Sequence, residues 1–125
     1  MDIHTLRQYI AARDSFSVLE TIDVFTGVRS VLREFDHVIE APNWTNDGRL
    51  LVFNSGGRIY TYELATGTVA PIESGFAVDC NNDHVLSPDN TQIAVSHFTY
   101  EDARSRIYIL PMQGGDPVLV TENGP

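Results

Sequence analysis

The feature of this sequence that most constrains its fold is an internal repeat of short apolar segments separated by turns. The turn Asn46-Asp-Gly48 is followed by two such segments, Arg49–Asn54 and Arg58–Leu64. The matching turn of a second copy is Ser87-Pro-Asp-Asn90, whose proline fixes φ and whose asparagine tolerates the left-handed conformation. Both turns therefore predict tight connections between β-strands.

The two copies align beyond their turns. Trp44 and Leu86 occupy matching positions 42 residues apart, close to the ~40–45 residues of a four-stranded propeller blade. Arg58-Ile-Tyr60 falls on Arg106-Ile-Tyr108. A helical repeat of similar length is the alternative, but short β-branched and aromatic segments punctuated by Gly and Pro favour strands.

The quoted motifs resemble a known family. Trp-x-x-Asp-Gly at Trp44–Gly48, an apolar strand, and Arg-Ile-Tyr-x-x-x-Leu at Arg58–Leu64 are similar to the WD-like repeats of TolB-like β-propellers. Ser87-Pro-Asp89 is the most specific part of that signature, whereas Thr45-Asn46 stands where the family usually has Ser-Pro. The resemblance implies an all-β fold of four-stranded antiparallel blades, but propellers of this type serve many unrelated roles.

The alignment divides the chain into a half blade at 15–36, a blade at 37–76 and a blade at 77–125. Residues 1–14 form an N-terminal extension outside the repeat. Ile3, Leu6, Tyr9 and Ile10 recur at helical spacing, so a short helix is one expectation and a loosely attached terminus is the other.

Two and a half blades leave an incomplete ring with apolar faces exposed at both ends. Repeat units bury such faces against neighbours, and ~3 or more repeats are usually needed. We therefore expect either a fragment of a longer chain or a homo-oligomer, and a dimer or larger species in size-exclusion chromatography.

Composition limits the partners and the location. The net charge is −9 and all eight basic residues are Arg, which argues against binding to nucleic acid. We expect no membrane association, since no apolar run approaches the ~20 residues of a membrane span. No secretory signal is visible. We therefore expect a cytoplasmic protein, or a periplasmic one if the N-terminus is incomplete, because proteins of the family are typically exported.

One polar cluster, Asp79-Cys-Asn-Asn-Asp-His84, lies on a predicted innermost strand beside the central channel. Alternation places Asn82 and His84 on one face and Asp79, Asn81 and Asp83 on the other. A cation site would therefore need ligands from the preceding inner strand. The candidate binding residues are Asp79, Asn82, Asp83, His84, His37 and Glu40. The alternative is that these side chains hydrogen-bond turns and neighbouring blades.

Three functions are compatible with this reading. The first is a non-enzymatic scaffold that binds or assembles proteins and has no cofactor. The second is a channel site for a divalent metal or small molecule, in a carbohydrate- or peptide-processing enzyme that uses His84 and Asp83. The third is a truncated product with no independent role. Cys80, the single cysteine, is expected to be a buried structural thiol.

Overall fold

The computed structural model describes Asp2 and residues 15–122, and all regular secondary structure in this part of the chain is β-strand. No helix there could span a membrane. The predicted N-terminal extension, apart from Asp2, lies outside the described residues. The ten strands are β1 Ser17–Ile22, β2 Arg29–Phe35, β3 Glu40–Trp44, β4 Leu50–Ser55, β5 Arg58–Glu63, β6 Val69–Pro71, β7 Cys80–Leu86, β8 Gln92–Thr99, β9 Arg104–Pro111 and β10 Val118–Leu119.

The strands form three antiparallel sheets. A four-stranded sheet has the order β3-β4-β5-β6, and a second has β7-β8-β9-β10; we call them blade A and blade B. β1 and β2 form a separate two-stranded hairpin. The expected all-β fold of four-stranded antiparallel blades is therefore confirmed. The chain divides into two compact units, residues 1–39 and residues 40–125, so both blades belong to the second unit.

The β1–β2 hairpin of the first unit has one buried and one exposed face. Leu19 and Phe35 are buried, at 2% and 6% exposure. Val18, Ile22 and Val31 are exposed. A register shift after Leu19 interrupts the ladder, and such bulges bend and twist a hairpin.

Equivalent turns connect the first and second strands of the two blades. Asp47 accepts hydrogen bonds from the Thr45 hydroxyl and the Arg49 amide. Asp89 repeats this in blade B by accepting from the Ser87 hydroxyl and the Thr91 amide. The Ser87 hydrogen bond, followed by those of Thr91, lowers the pKa of Asp89 to about 2. These bonds hold each turn closed before its second strand begins.

The predicted backbone of these turns is confirmed. Gly48 has φ +73° and Asn90 has φ +57°, so both lie in the left-handed region that Gly and Asn tolerate best.

The core of the second unit lies between the blades. The face of blade A that meets blade B, its front face, is formed by Asn43, Val52, Asn54, Ile59 and Thr61. The facing side of blade B, its back face, is formed by His84, Ile93, Val95, Tyr108 and Leu110. The centres of both faces are closed to solvent, because Val52, Ile59, Ile93 and Val95 are all 0% exposed. This burial is the main force holding the blades together.

Gly57 allows close contact between the blades. Its carbonyl accepts the Cys80 amide at 2.8 Å, which joins the β4–β5 turn to the start of β7. A Cβ on Gly57 would lie 2.4 Å from the Val78 carbonyl oxygen, and its φ is +85°. Only glycine satisfies both conditions.

Trp44 is the single tryptophan of the chain, and its size predicts that it wedges between blades, but this prediction is wrong. Its side chain is 51% exposed, and its Nε1 lies 4.0 Å from the position that a Cβ on Gly48 would take. Trp44 therefore lies over its own turn rather than between the sheets.

Candidate functional site

The candidate cluster lies on β7 where the pairing of that strand is irregular. Cys80 pairs with His97 and His84 pairs with Val95, so three residues of β7 lie opposite the single residue Ser96. The register also shifts on the innermost strand of blade A, between Glu40 and Asn43. Bulges of this kind redirect side chains.

The bulge changes the expected arrangement of side chains. Regular alternation predicts that Asn82 and His84 share one face, but Asn82 is exposed and His84 is buried at 8% exposure. The predicted alternation is wrong at Asn82 because that residue lies inside the bulge, whereas Cys80 and His84, which flank the bulge, are both buried.

His84 is held between the two blades through both ring nitrogens. Its Nε2–H donates to Oδ1 of Asn54 at 3.2 Å, and its Nδ1 accepts from Nδ2 of Asn43 at 3.1 Å. These partners identify the Nε2–H tautomer, since the Asn43 amide nitrogen is a donor only. The same Nδ2 also lies 3.3 Å from the His84 carbonyl oxygen.

Glu40 extends this network. Its Oε2 accepts from Nδ2 of Asn54 at 2.9 Å, so the Asn54 amide connects Glu40 to His84. The structure therefore brings together two of the predicted site residues, through an asparagine that the sequence analysis did not include. Asn43 and Asn54 lie 41 and 30 residues from His84, and only the interblade packing unites them.

The surroundings of His84 favour its neutral form. Burial lowers the pKa of His84 below its ordinary value, and the nearby charges of Asp83 and Glu40 oppose that shift. Burial wins because a charged imidazolium loses much of its hydration between the sheets.

Asp79 belongs to a different group of side chains. Its carboxylate accepts the hydroxyl of Tyr100, and its backbone N–H donates to Nδ1 of His97 at 3.2 Å. Burial lowers the pKa of His97, against the raising effect of the Asp79 charge. Asp79 thus anchors the β8–β9 hairpin.

Asn82 and Asp83 are the exposed members of the cluster. They line the rim of a shallow depression of about 360 Å³, whose floor includes Val85, Ala94 and Ile107. The Asp83 amide donates to Oδ1 of Asn81 at 2.8 Å, which holds the bulge in place. The exposed carboxylate and amide side chains therefore lie beside an apolar surface.

His37 lies in the first compact unit, where its Nδ1 is 2.7 Å from Oδ1 of Asp36. Its ring also packs edge-on against Phe35.

Cys80 is buried, as expected. Burial, assisted by the Asp79 charge, raises the pKa of the Cys80 thiol to about 12. The neutral thiol therefore predominates at neutral pH, and it lies 3.4 Å from the Ala77 carbonyl oxygen.

Metal ligands do not converge in the part of the chain that the structure describes: no three His, Cys, Asp or Glu side chains are grouped closely enough to hold an ion.

Comparisons with known proteins give sequence relatives. An uncharacterized protein of Agrobacterium fabrum is 41% identical over 111 residues, which cover 87% of this chain and 37% of the relative. The Tol-Pal system protein TolB of Francisella tularensis is 39% identical over 84 residues, which cover 64% of this chain and 19% of TolB. The chain thus spans less than two fifths of the length of these relatives. No protein-family model matches it.

Solved structures agree with these relatives. A candidate TolB from Agrobacterium tumefaciens superposes with a TM-score of 0.81 at 40% identity, over 88% of this chain and 39% of the other. TolB from Acinetobacter baumannii gives a TM-score of 0.72 at 20% identity, over 94% of this chain and 29% of the other, which supports the fold alone. The repeat motifs, the four-stranded blades and these similarities show that the chain is TolB-like in sequence and in fold over the part of those proteins that it covers.

Proposed function

We propose that this chain is a non-enzymatic protein-binding scaffold, a TolB-like propeller segment that works without a resident metal or cofactor. One observation carries the proposal: the buried histidine of the candidate cluster is engaged in hydrogen bonds between the blades. His84 connects Asn43 and Asn54 through its two ring nitrogens.

Those hydrogen bonds oppose both a catalytic and a metal-binding role for His84. A general base or a metal ligand uses a ring nitrogen that is available to substrate or metal. Both nitrogens of His84 already have partners, and the histidine is buried. The high pKa of the Cys80 thiol also opposes nucleophilic catalysis, which requires the thiolate.

The surface that supports protein binding is the exposed bulge of β7. Asn82 and Asp83 supply an amide and a carboxylate, and Val85 adds an apolar contact that is 60% exposed. Interfaces combine apolar contact with polar groups that fix orientation. We propose that Asp83 is the main polar contact and that Asn82 assists it.

The names of the relatives suggest the kind of partner. The Francisella relative is a Tol-Pal system protein, so we propose that this chain binds a protein component of such a system. We also propose a periplasmic location, because proteins of the TolB-like family are typically exported. The comparisons do not support the cytoplasmic expectation.

Isothermal titration of purified chain with the Pal component of a Tol-Pal system tests the proposal. We expect saturable binding that Asp83→Lys weakens at least about tenfold, equivalent to about 1.4 kcal/mol. Glu101→Lys, which makes the same charge change on the exposed β8–β9 turn, is the matched control and should bind like the parent. Absence of binding, or equal weakening by both variants, would contradict the proposed role.

Metal analysis of the purified chain tests the alternative of a metal-dependent protein. We expect much less than one equivalent of divalent metal, both in the parent and in His84→Ala. Stoichiometric metal that is lost in His84→Ala would instead favour a channel metal site.

A further inference from the structure

The hydrogen bonds around the His84 ring all run in one direction. Nδ2 of Asn43 on β3 donates to Nδ1 of the ring, and Nε2–H of the ring donates to Oδ1 of Asn54 on β4. Nδ2 of Asn54 then donates to the Glu40 carboxylate. Each bond therefore points from Asn43 towards Glu40, and a change at the ring affects every partner.

Both ends of this chain hold their amide groups in a single orientation. A carboxylate only accepts, so the Asn54 amide must present its nitrogen to Glu40 and its oxygen to the histidine. Nδ2 of Asn43 also lies 3.1 Å from the Ala41 carbonyl oxygen and 3.3 Å from that of His84. Turning the Asn43 amide over would bring its oxygen against these two oxygens. The chain therefore fits a ring with one proton, on Nε2.

The Asn43 amide also holds a strained residue of β3. Ala41 has φ +51°, in the left-handed region that residues with a Cβ seldom adopt. It lies within the register shift between Glu40 and Asn43, and its carbonyl oxygen accepts from the Asn43 amide. Such strain persists only where surrounding contacts stabilise it. Asn43 thus joins the neutral ring of His84 to the strained backbone of β3.

The strands packed around the ring carry two carboxylates and a second histidine: Glu40 on β3, Asp83 on β7 and His97 on β8. β4 contributes the uncharged Asn54, and His97 pairs with Cys80 at the other end of the bulge. Burial lowers the pKa of His84, while the charges of Asp83 and Glu40 raise it by a smaller amount. These carboxylates keep the charged ring within reach of mild acid.

We propose that His84 and Asn43 form a proton-controlled latch between the innermost strands of blades A and B. A second proton on the ring occupies Nδ1 and meets the N–H groups of the Asn43 amide. Two donors cannot share a hydrogen bond, so Asn43 separates from the ring. Ala41 then leaves its left-handed conformation. The β7 bulge, with Asn82 and Asp83, loses this connection to β3.

The latch makes the position of the exposed bulge depend on pH. Its consequence for binding rests on the proposed function, in which Asp83 is the main polar contact with a protein partner. Binding through Asp83 should weaken as pH falls and His84 takes up its second proton. The latch itself belongs to the chain alone, so it can be tested without a partner.

NMR of the nitrogen-15-labelled chain tests the latch from about pH 8 to about pH 5, the range in which histidine normally titrates. We expect the His84 ring to carry its proton on Nε2 near pH 8 and a second proton at the acidic end. The backbone coupling constant of Ala41, which reports φ, should change along the same titration curve as the ring.

Two asparagine variants should shift the pKa of His84 in opposite directions. Asn43→Leu removes a donor that only the neutral ring can use, so it should raise this pKa by about one pH unit. Asn54→Leu removes an acceptor that favours the charged ring, so it should lower the pKa. Leucine resembles asparagine in branching, so both variants keep the ring buried. A role of burial alone predicts no such opposition.

Ala41→Gly tests the coupling at a residue chosen for its backbone. Glycine adopts positive φ without strain, so the closed latch loses its strain and the second proton becomes less favourable. We expect the pKa of His84 to fall in this variant. Because the change removes only a methyl group, it also provides a folded test should either leucine variant fail to fold.

Isothermal titration with Pal at about pH 7.5 and about pH 5.5, on either side of the ordinary histidine pKa, tests the effect on binding. The parent should bind more weakly at the lower pH, and His84→Gln should reduce that difference. Equal affinity at both pH values, with the ring charged at the lower one, overturns the regulation.

Three NMR outcomes overturn the latch. The first is a ring that takes up no second proton in the stated range. The second is a coupling constant of Ala41 that stays unchanged while the ring becomes charged. The third is a shift of the same sign in folded Asn43→Leu and Asn54→Leu. Absence of Pal binding at either pH, with the latch intact by NMR, counts against the proposed function instead.

Discussion

The backbone N–H of Asn46 donates to Oδ1 of Asn90 at 2.6 Å and joins the equivalent turns of the two blades. The Asn46 side chain also donates to the Pro88 carbonyl oxygen. These two hydrogen bonds are specific to the junction between blade A and blade B. In the repeat alignment Asn90 corresponds to Gly48, which has no side chain to accept such a bond, and Asn46 corresponds to Pro88, which has no N–H.

This pair of turns predicts a measurable coupling. Asn90→Gly keeps a residue that tolerates positive φ, but it removes both the acceptor for the Asn46 amide and the bond that Nδ2 of Asn90 donates to the Ser87 carbonyl oxygen. We therefore expect it to cost about 1–3 kcal/mol of stability, the usual net value of two hydrogen bonds. Asn46→Ala removes only the bond from its side chain. Urea unfolding of both single variants and the double variant measures their coupling, and strictly additive losses would show that the turns do not act together.

Gly57 offers a test of how closely the blades approach. Gly57→Ala should destabilise the chain by more than about 3 kcal/mol, because its Cβ meets the Val78 backbone in addition to adopting a left-handed φ. Gly56→Ala is the matched control: its φ is +55° and its Cβ would meet nothing within 4 Å. The control should cost only about 1–2 kcal/mol. Equal losses measured by urea unfolding would contradict the close approach.

The buried histidines predict that acid destabilises the fold. Burial lowers the pKa values of His84 and His97 below their ordinary 6.5, so the unfolded chain binds more protons than the folded chain. Stability contributed by the neutral rings is therefore complete well above pH 6.5 and falls as pH drops through that value.

Urea unfolding at about pH 7.5 and about pH 5.5 measures this effect, since His is the side chain that normally titrates in that window. We expect the midpoint to fall at the lower pH, and the double variant His84→Gln with His97→Gln to flatten the dependence. The exposed carboxylate of Asp89, whose pKa is lowered to about 2, should lose its contribution to folding stability only in a more acidic range. A midpoint that rises on acidification would contradict the buried neutral rings.

The order of the strands could be predicted from the sequence because it depends on local signals. The Asn46–Gly48 and Ser87–Asn90 turns mark where pairs of strands connect, and apolar segments such as Leu50–Asn54 identify the strands themselves. The left-handed conformation of Asn90 follows from the same chemistry. These features need no knowledge of distant contacts.

The details of the candidate site required the three-dimensional structure. The bulge at residues 81–83 consists of Asn81, Asn82 and Asp83, which are turn-favouring residue types, but the sequence does not show that three residues of the strand lie opposite one residue of its neighbour. Regular alternation therefore fails inside the bulge, at Asn82. Asn43 and Asn54 reach His84 only because blade A packs on blade B. The repeat alignment offers one signal that could have drawn attention to Asn54. It places Asn54 at the position of Ser96, on the strand next to the innermost one.

The central claim is that the two blades pack front to back and unfold together. Native-state hydrogen exchange measured by NMR tests it most directly, with the Val52 amide reporting on blade A and the Val95 amide on blade B. Ile59→Ala should leave a cavity in the shared core and cost about 2–5 kcal/mol. The account predicts that this substitution lowers the protection of both amides by the same free energy. A loss confined to blade A, with Val95 protected as in the parent, would contradict it.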